Sequence, residues 1–343
     1  MRSYSRRSSM SRRRRKRKMM YIFSLILLIF ITKKFTRNSD PATAFGGADQ
    51  MNFSIAGVEI QDSIMAPVAD SKTEHQVIIK KTPKPTAKRN KKVSSLIENI
   101  TDKLQKNSAS IIDARNKLNE TLSVSMNKQQ TAFVKQQLSE LSKQWLFSRN
   151  VFAEDTLCKN YKVKPGDRLA VIGKTFNVPY QILMRINNIN DPKNLRAGEI
   201  IKVINGPFHC KISRKDFTMD LYLQDTYVTT FPVGLGKQGM ETPTGRWVVK
   251  PTGKLISPTW TDPMSGKTYQ ADDPAYPLGA RWIGLKGIDG DAKDRTGFAI
   301  HGTKSPDEVG TAISQGCIRL YNGDEILLYD MLTPAVSQVI VVQ

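Results

Sequence analysis

His301-Gly-Thr-Lys-Ser-Pro306 and Ile313-Ser-Gln-Gly-Cys-Ile-Arg-Leu320 are the stretches on which the reading of this chain turns. The run Phe298-Ala-Ile300 ahead of the histidine is apolar and strand-like, and His301-Gly302-Thr303 reads as the turn that ends it. Cys317 lies sixteen residues beyond His301 on a second glycine-flanked turn, where Gly316 lets backbone amides reach the space beside the sulfur. A free thiol, with a pKa of about 8.5, is only a few per cent thiolate at neutral pH, so a nucleophilic cysteine needs a base or a positive neighbour. His301 is the natural partner. Of the other histidines, His75 falls in a polar, extended-looking stretch and His209 at a crossing between domains. A cysteine, a histidine and amides able to hold an oxyanion are the parts of acyl transfer through a covalent intermediate.

Working outward, short β-type runs split by Gly and Pro fill residues 207–343. They include Phe231-Pro-Val-Gly234, Thr242-Pro-Thr-Gly245 followed by Arg-Trp-Val, and Pro277-Leu-Gly-Ala-Arg-Trp-Ile283. With the two stretches above, these motifs resemble the YkuD-type L,D-transpeptidases. The resemblance implies a mostly β fold, an antiparallel β sandwich with few helices. It also implies a reaction on peptidoglycan stem peptides. Cys317 attacks the carbonyl between a third-position diamino acid and the terminal D-alanine, a thioester forms, and an amine from a neighbouring stem resolves it. His301 moves the proton, and the backbone of Gly316 and Cys317 is the implied oxyanion hole. Ser314 and Arg319, on the same loop, either order the site or meet the substrate. Many relatives carry a second histidine where this chain has Gln315, which leaves His301 as the base. No cofactor and no metal are implied.

Other readings stay open at this point. Water in place of the amine would make the same fold an L,D-carboxypeptidase or a wall-protein-releasing hydrolase. A non-catalytic wall tether would need none of His301, Gly316, Cys317 or Arg319. A papain-like protease has its cysteine and histidine in the reverse order.

Residues 158–206 carry a second pattern. Tyr161-Lys-Val163 alternates as a strand, and Pro165-Gly166-Asp167 turns the chain with Asp167 expected as a helix N-cap. Leu169, Ile172 and Phe176 share a helical face, Pro179 opens a second helix, and residues 200–204 close the unit as a strand. This βααβ unit resembles a LysM module, which implies binding to N-acetylglucosamine-containing glycan, with Gly166, Asp167, Asn187 and Asn188 as candidate contacts. Cys158 and Cys210 bracket the module. Their places allow either a disulfide or two buried thiols.

The N-terminal part differs in kind. Residues 1–150 hold 29 Lys and Arg against 11 Asp and Glu, a net of +18 out of the chain's +21. A basic stretch over 12–18 precedes an apolar run over 19–32, the pattern of a signal anchor or of a cleaved signal. An anchor with its N-terminus in the cytoplasm is the expectation, the positive flank lying on the inner side. That places a single pass in the cytoplasmic membrane and the catalytic domain outside it. With the basic residues so placed, a nucleic-acid partner is not expected. Residues 35–93 read as a disordered linker and 94–150 as a helical stalk. Ile97, Leu104, Ile111 and Leu118 form one heptad seam, beside a weaker one of Ile100, Asn107, Ala114 and Thr121. Weak self-association through 94–147 is the most that such a seam implies.

Overall fold

The computed structural model describes residues 53–55, 58–60, 91–105 and 110–343. The basic tail, the apolar run 19–32 and most of the expected linker lie outside the described residues. Among the described residues, no helix is long and apolar enough to cross a membrane. Two short strands, β1 (Phe53–Ile55) and β2 (Val58–Ile60), pair antiparallel inside the stretch expected to be a linker. Their apolar and β-branched residues favour strand over the extended coil that the Pro- and Lys-rich composition further on suggested.

The catalytic-type region is a mostly antiparallel eight-stranded sheet. It comprises β5 (Phe208–Ser213), β6 (Thr218–Leu223), β7 (Thr226–Pro232), β9 (Gly245–Ile256), β12 (Arg281–Gly287), β13 (Ala299–His301), β15 (Ile318–Arg319) and β16 (Gln338–Val342). Their spatial order is β15-β13-β12-β9-β16-β5-β6-β7. Two pairs run parallel, β13 with β15 and β16 with β5. Alternation along each strand makes the core: Phe208, Cys210 and Ile212 of β5 and Val339 and Val341 of β16 are buried. Helix α6 (Asn322–Met331) covers one side near β12 and β13, and Leu328 and Met331 bury there completely. The short parallel pair β8 (Leu235–Gly236) and β14 (Ala312–Ser314) lies beside the sheet's β15 end. A further hairpin, β10 (Trp260–Thr261) with β11 (Thr268–Tyr269), projects between β9 and β12.

The expected stalk is helical, but it is not a spacer. Helix α1 covers Lys91–Gln105, α2 Ile111–Thr121 and α3 Lys128–Trp145. A capping box starts α3: Asn127 Oδ1 accepts the Gln130 amide, and Gln130 Oε1 accepts the Asn127 amide. Helix α3 then lies on the β6–β7 face. Lys135 pairs with Asp220 at 2.6 Å, and the Ser139 and Thr229 hydroxyls meet at 2.8 Å. Asn119 of α2 accepts the Tyr227 amide. Ile97, Ile111 and Leu118 of the first seam are buried, and so are Ile100, Ala114 and Thr121 of the second. Among these described residues, the apolar seam offered for self-association is therefore covered within the chain. The sequence pattern shows an apolar face, and only the fold shows what covers it.

The small module forms as β3 (Cys158–Lys162), α4 (Leu169–Thr175), α5 (Tyr180–Asn187) and β4 (Ile200–Ile204), with β3 and β4 antiparallel. Three contacts seat it on its neighbours. Lys202 Nζ donates to the Trp145 and Ser148 carbonyls at the end of α3, Arg185 pairs with Asp330 of α6 at 2.7 Å, and Thr333 Oγ1 donates to the Asn177 carbonyl. At the joint, Arg115 pairs with Asp155 at 2.9 Å, fully buried, with its guanidinium 4.4 Å from the Trp145 ring centre.

The cysteines overturn the disulfide alternative. Cys158 and Cys210 are both free thiols and both buried. Cys158 pairs with Ile204 in the module's strand ladder and faces the joint, with Asp155, Arg115 and Lys202 around it, whereas Cys210 belongs to the large sheet between Leu221 and Val339. The chain does return to its starting point, but it passes into a different sheet. Burial pushes the Cys158 thiol up to about 12 and the Cys210 thiol higher still, so both stay protonated.

Candidate active site

Strand register brings the two sequence stretches together. Ile300 pairs with Ile318 and His301 with Arg319 in the parallel β13–β15 ladder. One step back, Cys317 falls beside Ala299, and the Ala299 amide does reach its sulfur. Because side chains alternate along strands, Cys317 and His301 share one face, a diagonal step apart, while Ile300 and Ile318 point into the core. On the other side of β13, Trp282 pairs with His301, and its ring stacks on the imidazole with centroids 5.6 Å apart and planes 10° apart.

The ring's protonation state follows from its neighbour. His301 Nδ1 lies 2.6 Å from the Gly302 carbonyl oxygen, which can only accept, so Nδ1 carries the hydrogen and Nε2 is the basic atom. Burial lowers its pKa to about 4; the Gly302 carbonyl opposes that, and the Arg319 charge adds to it. For Cys317, burial raises the thiol, while the Ala299 amide and Arg319 pull it back. The resting site is thus a neutral thiol beside a neutral imidazole. The thiol's own hydrogen bond runs to the Gly297 carbonyl at 3.9 Å.

The cysteine loop is braced by two hydroxyls. Ser314 Oγ accepts the Gly316 amide at 3.1 Å and donates to the Cys317 carbonyl at 2.7 Å. Thr242 Oγ1 donates to the Gly316 carbonyl at 2.9 Å and accepts the Gly236 amide. Gly316 sits at φ +109°, and a Cβ there would lie 2.7 Å from the Phe298 ring, so no other residue fits. Two expectations are sharpened. Ser314 orders the loop rather than facing a substrate, and the Gly316 amide, implied as half of the oxyanion hole, is already taken by Ser314. That leaves the Cys317 amide as the candidate donor. Arg319 bonds Glu308, whose Oε2 also takes the Thr303 hydroxyl, so its guanidinium is held in place and acts on the site through its charge. Gln315 is exposed and hydrogen-bonds Asp262 in the β10–β11 turn, whose carboxyl is held low chiefly by Ser265 and the Met264 amide. His209 accepts the Gln338 amide between β5 and β16 and is structural.

Comparison with known proteins matches these elements to named families. Residues 207–341 match the L,D-transpeptidase catalytic domain model, YkuD, and residues 161–203 match the LysM domain model. A Bacillus licheniformis protein that carries the name L,D-transpeptidase YkuD is 30% identical over 175 residues, 49% of this chain and 90% of its own length. This chain belongs to the L,D-transpeptidase family. An Escherichia coli protein carrying the name L,D-transpeptidase YcfS is 28% identical over 188 residues, with 57% of its length covered. Among solved structures, an L,D-transpeptidase from Mycobacterium tuberculosis matches at 18% identity and TM-score 0.31, over 43% of this chain and 63% of that one. The catalytic domain of the Enterococcus faecium L,D-transpeptidase matches at 20% identity and TM-score 0.30, over 39% and 95%. This chain thus spans a little under two thirds of the M. tuberculosis chain.

Within the L,D-transpeptidase domain, motif reading missed Gly302, Trp282, Thr242 and Glu308. The first three stood inside quoted motifs, with nothing in the sequence to say what they touch. Glu308 carried no signal at all. In the LysM module the candidate glycan residues divide. Asp167 is not the N-cap of α4, a place taken by Arg168; its Oδ2 instead accepts the Lys164 amide and the Tyr161 hydroxyl, both at 2.8 Å, and braces the turn. Asn187 is buried, donates to the Leu183 and Lys202 carbonyls and accepts the Lys202 amide, so its amide is spent inside the fold. Asn188 ends α5 in the left-handed region, and Gly166 lies in an open turn at φ +84°. A polar cleft of about 530 Å³ opens beside Asn188, Asn190, Asn194, Arg149 and Arg196.

Proposed function

We propose that this L,D-transpeptidase cross-links peptidoglycan stem peptides through a thioester on Cys317, with His301 carrying the proton. The observation that supports this most is the shared face of Cys317 and His301, with Nδ1–H tied to Gly302 so that Nε2 is free to act. As the sulfur bonds to the substrate carbonyl carbon, Nε2 takes the thiol proton. The charge that develops on the carbonyl oxygen turns to the Cys317 amide. When the C–N bond breaks, the imidazolium returns the proton to the departing D-alanine amine. A side-chain amine from a neighbouring stem then attacks the thioester and frees the thiol. Two neutral partners suit this sequence, because no ion pair has to be buried before the substrate arrives.

The LysM module supplies glycan binding, with Asn188, Gly166 and the cleft beside Arg196 as the contact region. Residues 1–34 act as the membrane anchor and cytoplasmic tail, which sets the catalytic domain outside the membrane. The support for the anchor is the charge pattern alone.

Incubation of the full chain with isolated muropeptides, followed by mass spectrometry, tests the reaction. Dimers are expected, together with released D-alanine. Shortened monomers in their place would make the enzyme a hydrolase. Cys317→Ala is expected to abolish either product while sedimentation with glycan persists; product that survives the substitution would remove Cys317 as nucleophile.

A further inference from the structure

The catalytic imidazole has two fixed contacts, the Gly302 carbonyl on Nδ1 and the Trp282 ring on its face. Neither belongs to the cysteine loop. Both trace to one side chain in the first turn of α6. Glu325 is fully buried. Its Oε1 accepts the Ala280 amide at 2.6 Å and its Oε2 the Arg281 amide at 3.2 Å, which fixes the backbone leading into Trp282. The same carboxyl packs on Gly302: a Cβ there would lie 2.6 Å from Glu325 Cδ and 2.4 Å from Asn322 Oδ1. The Gly302 amide adds a weaker bond to Glu325, and Asn322 Oδ1 takes the Thr303 amide at 3.0 Å.

We propose that Glu325 is the positioning residue of His301, fixing through one carboxylate both the carbonyl that sets the ring's tautomer and the indole that sets its plane. It does not touch reacting atoms, and the inference rests on the catalytic reading of His301 given above. A buried carboxylate is costly unless it serves several donors, and helix stability alone would not require one here. Burial pushes Glu325 up to about 7, against the Ala280, Arg281 and Gly302 amides and the Arg281 charge. The other ionisable groups around it are Tyr276 from the preceding loop, Asp324 beside it in the chain and His301 across the loop. The neighbouring Asp324 is also buried and also raised to about 7, by burial alone. Asp324 is the natural control.

Glu325→Gln keeps the volume but turns a donor toward one of the backbone amides. In the full chain it is expected to lower kcat by ~10- to 100-fold with KM within about 2-fold, the cost of a misplaced catalytic group. The His301 ring, followed by proton NMR without substrate, is expected to titrate above its wild-type value. Asp324→Asn should change neither. Glu325→Asp keeps the charge but withdraws it by one methylene, and should fall between wild type and Glu325→Gln in both readings. If the glutamine variant does not fold, the aspartate variant decides. Unchanged kcat and unchanged His301 titration in the folded variant would overturn the proposal, and so would an equal loss in Asp324→Asn. Wild-type chain without turnover would instead overturn the catalytic reading, and the His301 titration would still report on Glu325.

Discussion

In the small LysM module the polar residues at the pattern positions are spent on the module's own backbone; in the large sheet Cys317 and His301 share one face, the histidine buried and the cysteine half-buried. Asp167 and Asn187 hold a turn and a helix in place, and their hydrogen-bonding groups go to the module's own backbone. Cys317 and His301 keep their reactive atoms lightly held: the sulfur has the Ala299 amide and one long contact to the Gly297 carbonyl, and the imidazole's bond to Gly302 is made by Nδ1, not Nε2. The same kind of sequence signal, a polar residue at a fixed place between apolar ones, thus marks folding in one region and chemistry in the other. What separates them is whether backbone groups nearby need a partner. In a unit as small as the module, side chains finish the backbone pairing. In the large domain the ladders, with Ser314, Thr242 and Glu325 at the turns, already do so.

The largest test of that contrast is at His301. His301→Gln is expected to lower kcat by ~10²- to 10⁴-fold, the usual range for a lost acid–base group. In the wild type, the ring is neutral above about 4, so kcat/KM should hold on the acid side well below the ordinary histidine value. Stability carries the opposite sign. Between about 6.5 and 4 the unfolded ring binds a proton that the folded ring refuses, so stability is intact above 6.5 and falls as pH drops toward 4. The loss is about 3 kcal/mol, from 1.36 kcal/mol per pKa step. Denaturant midpoints at pH 7 and pH 4.5 should show it in wild type and show it reduced in His301→Gln. A kcat/KM that falls near pH 6.5 would mean a ring exposed to water.

A smaller effect is expected at the joint between the two regions. Arg115→Ala leaves Asp155 buried and unpaired and removes the cation over Trp145. Breaking such a pair costs ~3–5 kcal/mol, to be read from denaturant unfolding. A loss below about 1 kcal/mol would show that the helical segment is not part of the folded body.

Smallest of the three is Asn187→Ala. It orphans the Lys202 amide and carbonyl inside the module and should cost ~2–3 kcal/mol, seen as a lower thermal midpoint. Turnover of small muropeptides at a permissive temperature should stay within about 2-fold. A variant that keeps full stability but loses glycan binding would return Asn187 to the binding surface and break the contrast.

The motifs of the sheet were legible because chemistry demands particular residues at particular turns: a glycine before the cysteine, a glycine after the histidine. Helix α3 was legible as a helix, with an unremarked capping pair at Asn127 and Gln130, but its apolar face gave no address. The Cys158–Cys210 pairing failed for a similar reason. Chain return can be read from antiparallel strands, whereas passage into a second sheet cannot. Glu325 carried no sign at all, because its partners are backbone amides from Ala280, Arg281 and Gly302, and backbone amides leave no mark in a sequence.

Sequence alone determined the residue types that chemistry requires, the β-rich character of residues 207–343 and the βααβ module. Tertiary structure decided that His301 shares a face with Cys317 and is held at Nδ1 by Gly302, that Ser314 occupies the Gly316 amide, and that the helices brace the sheet. The physical reason is range. Propensity and periodicity act over a few residues, while the register of β13 between β12 and β15 and the burial of Glu325 are set by segments far apart in the chain.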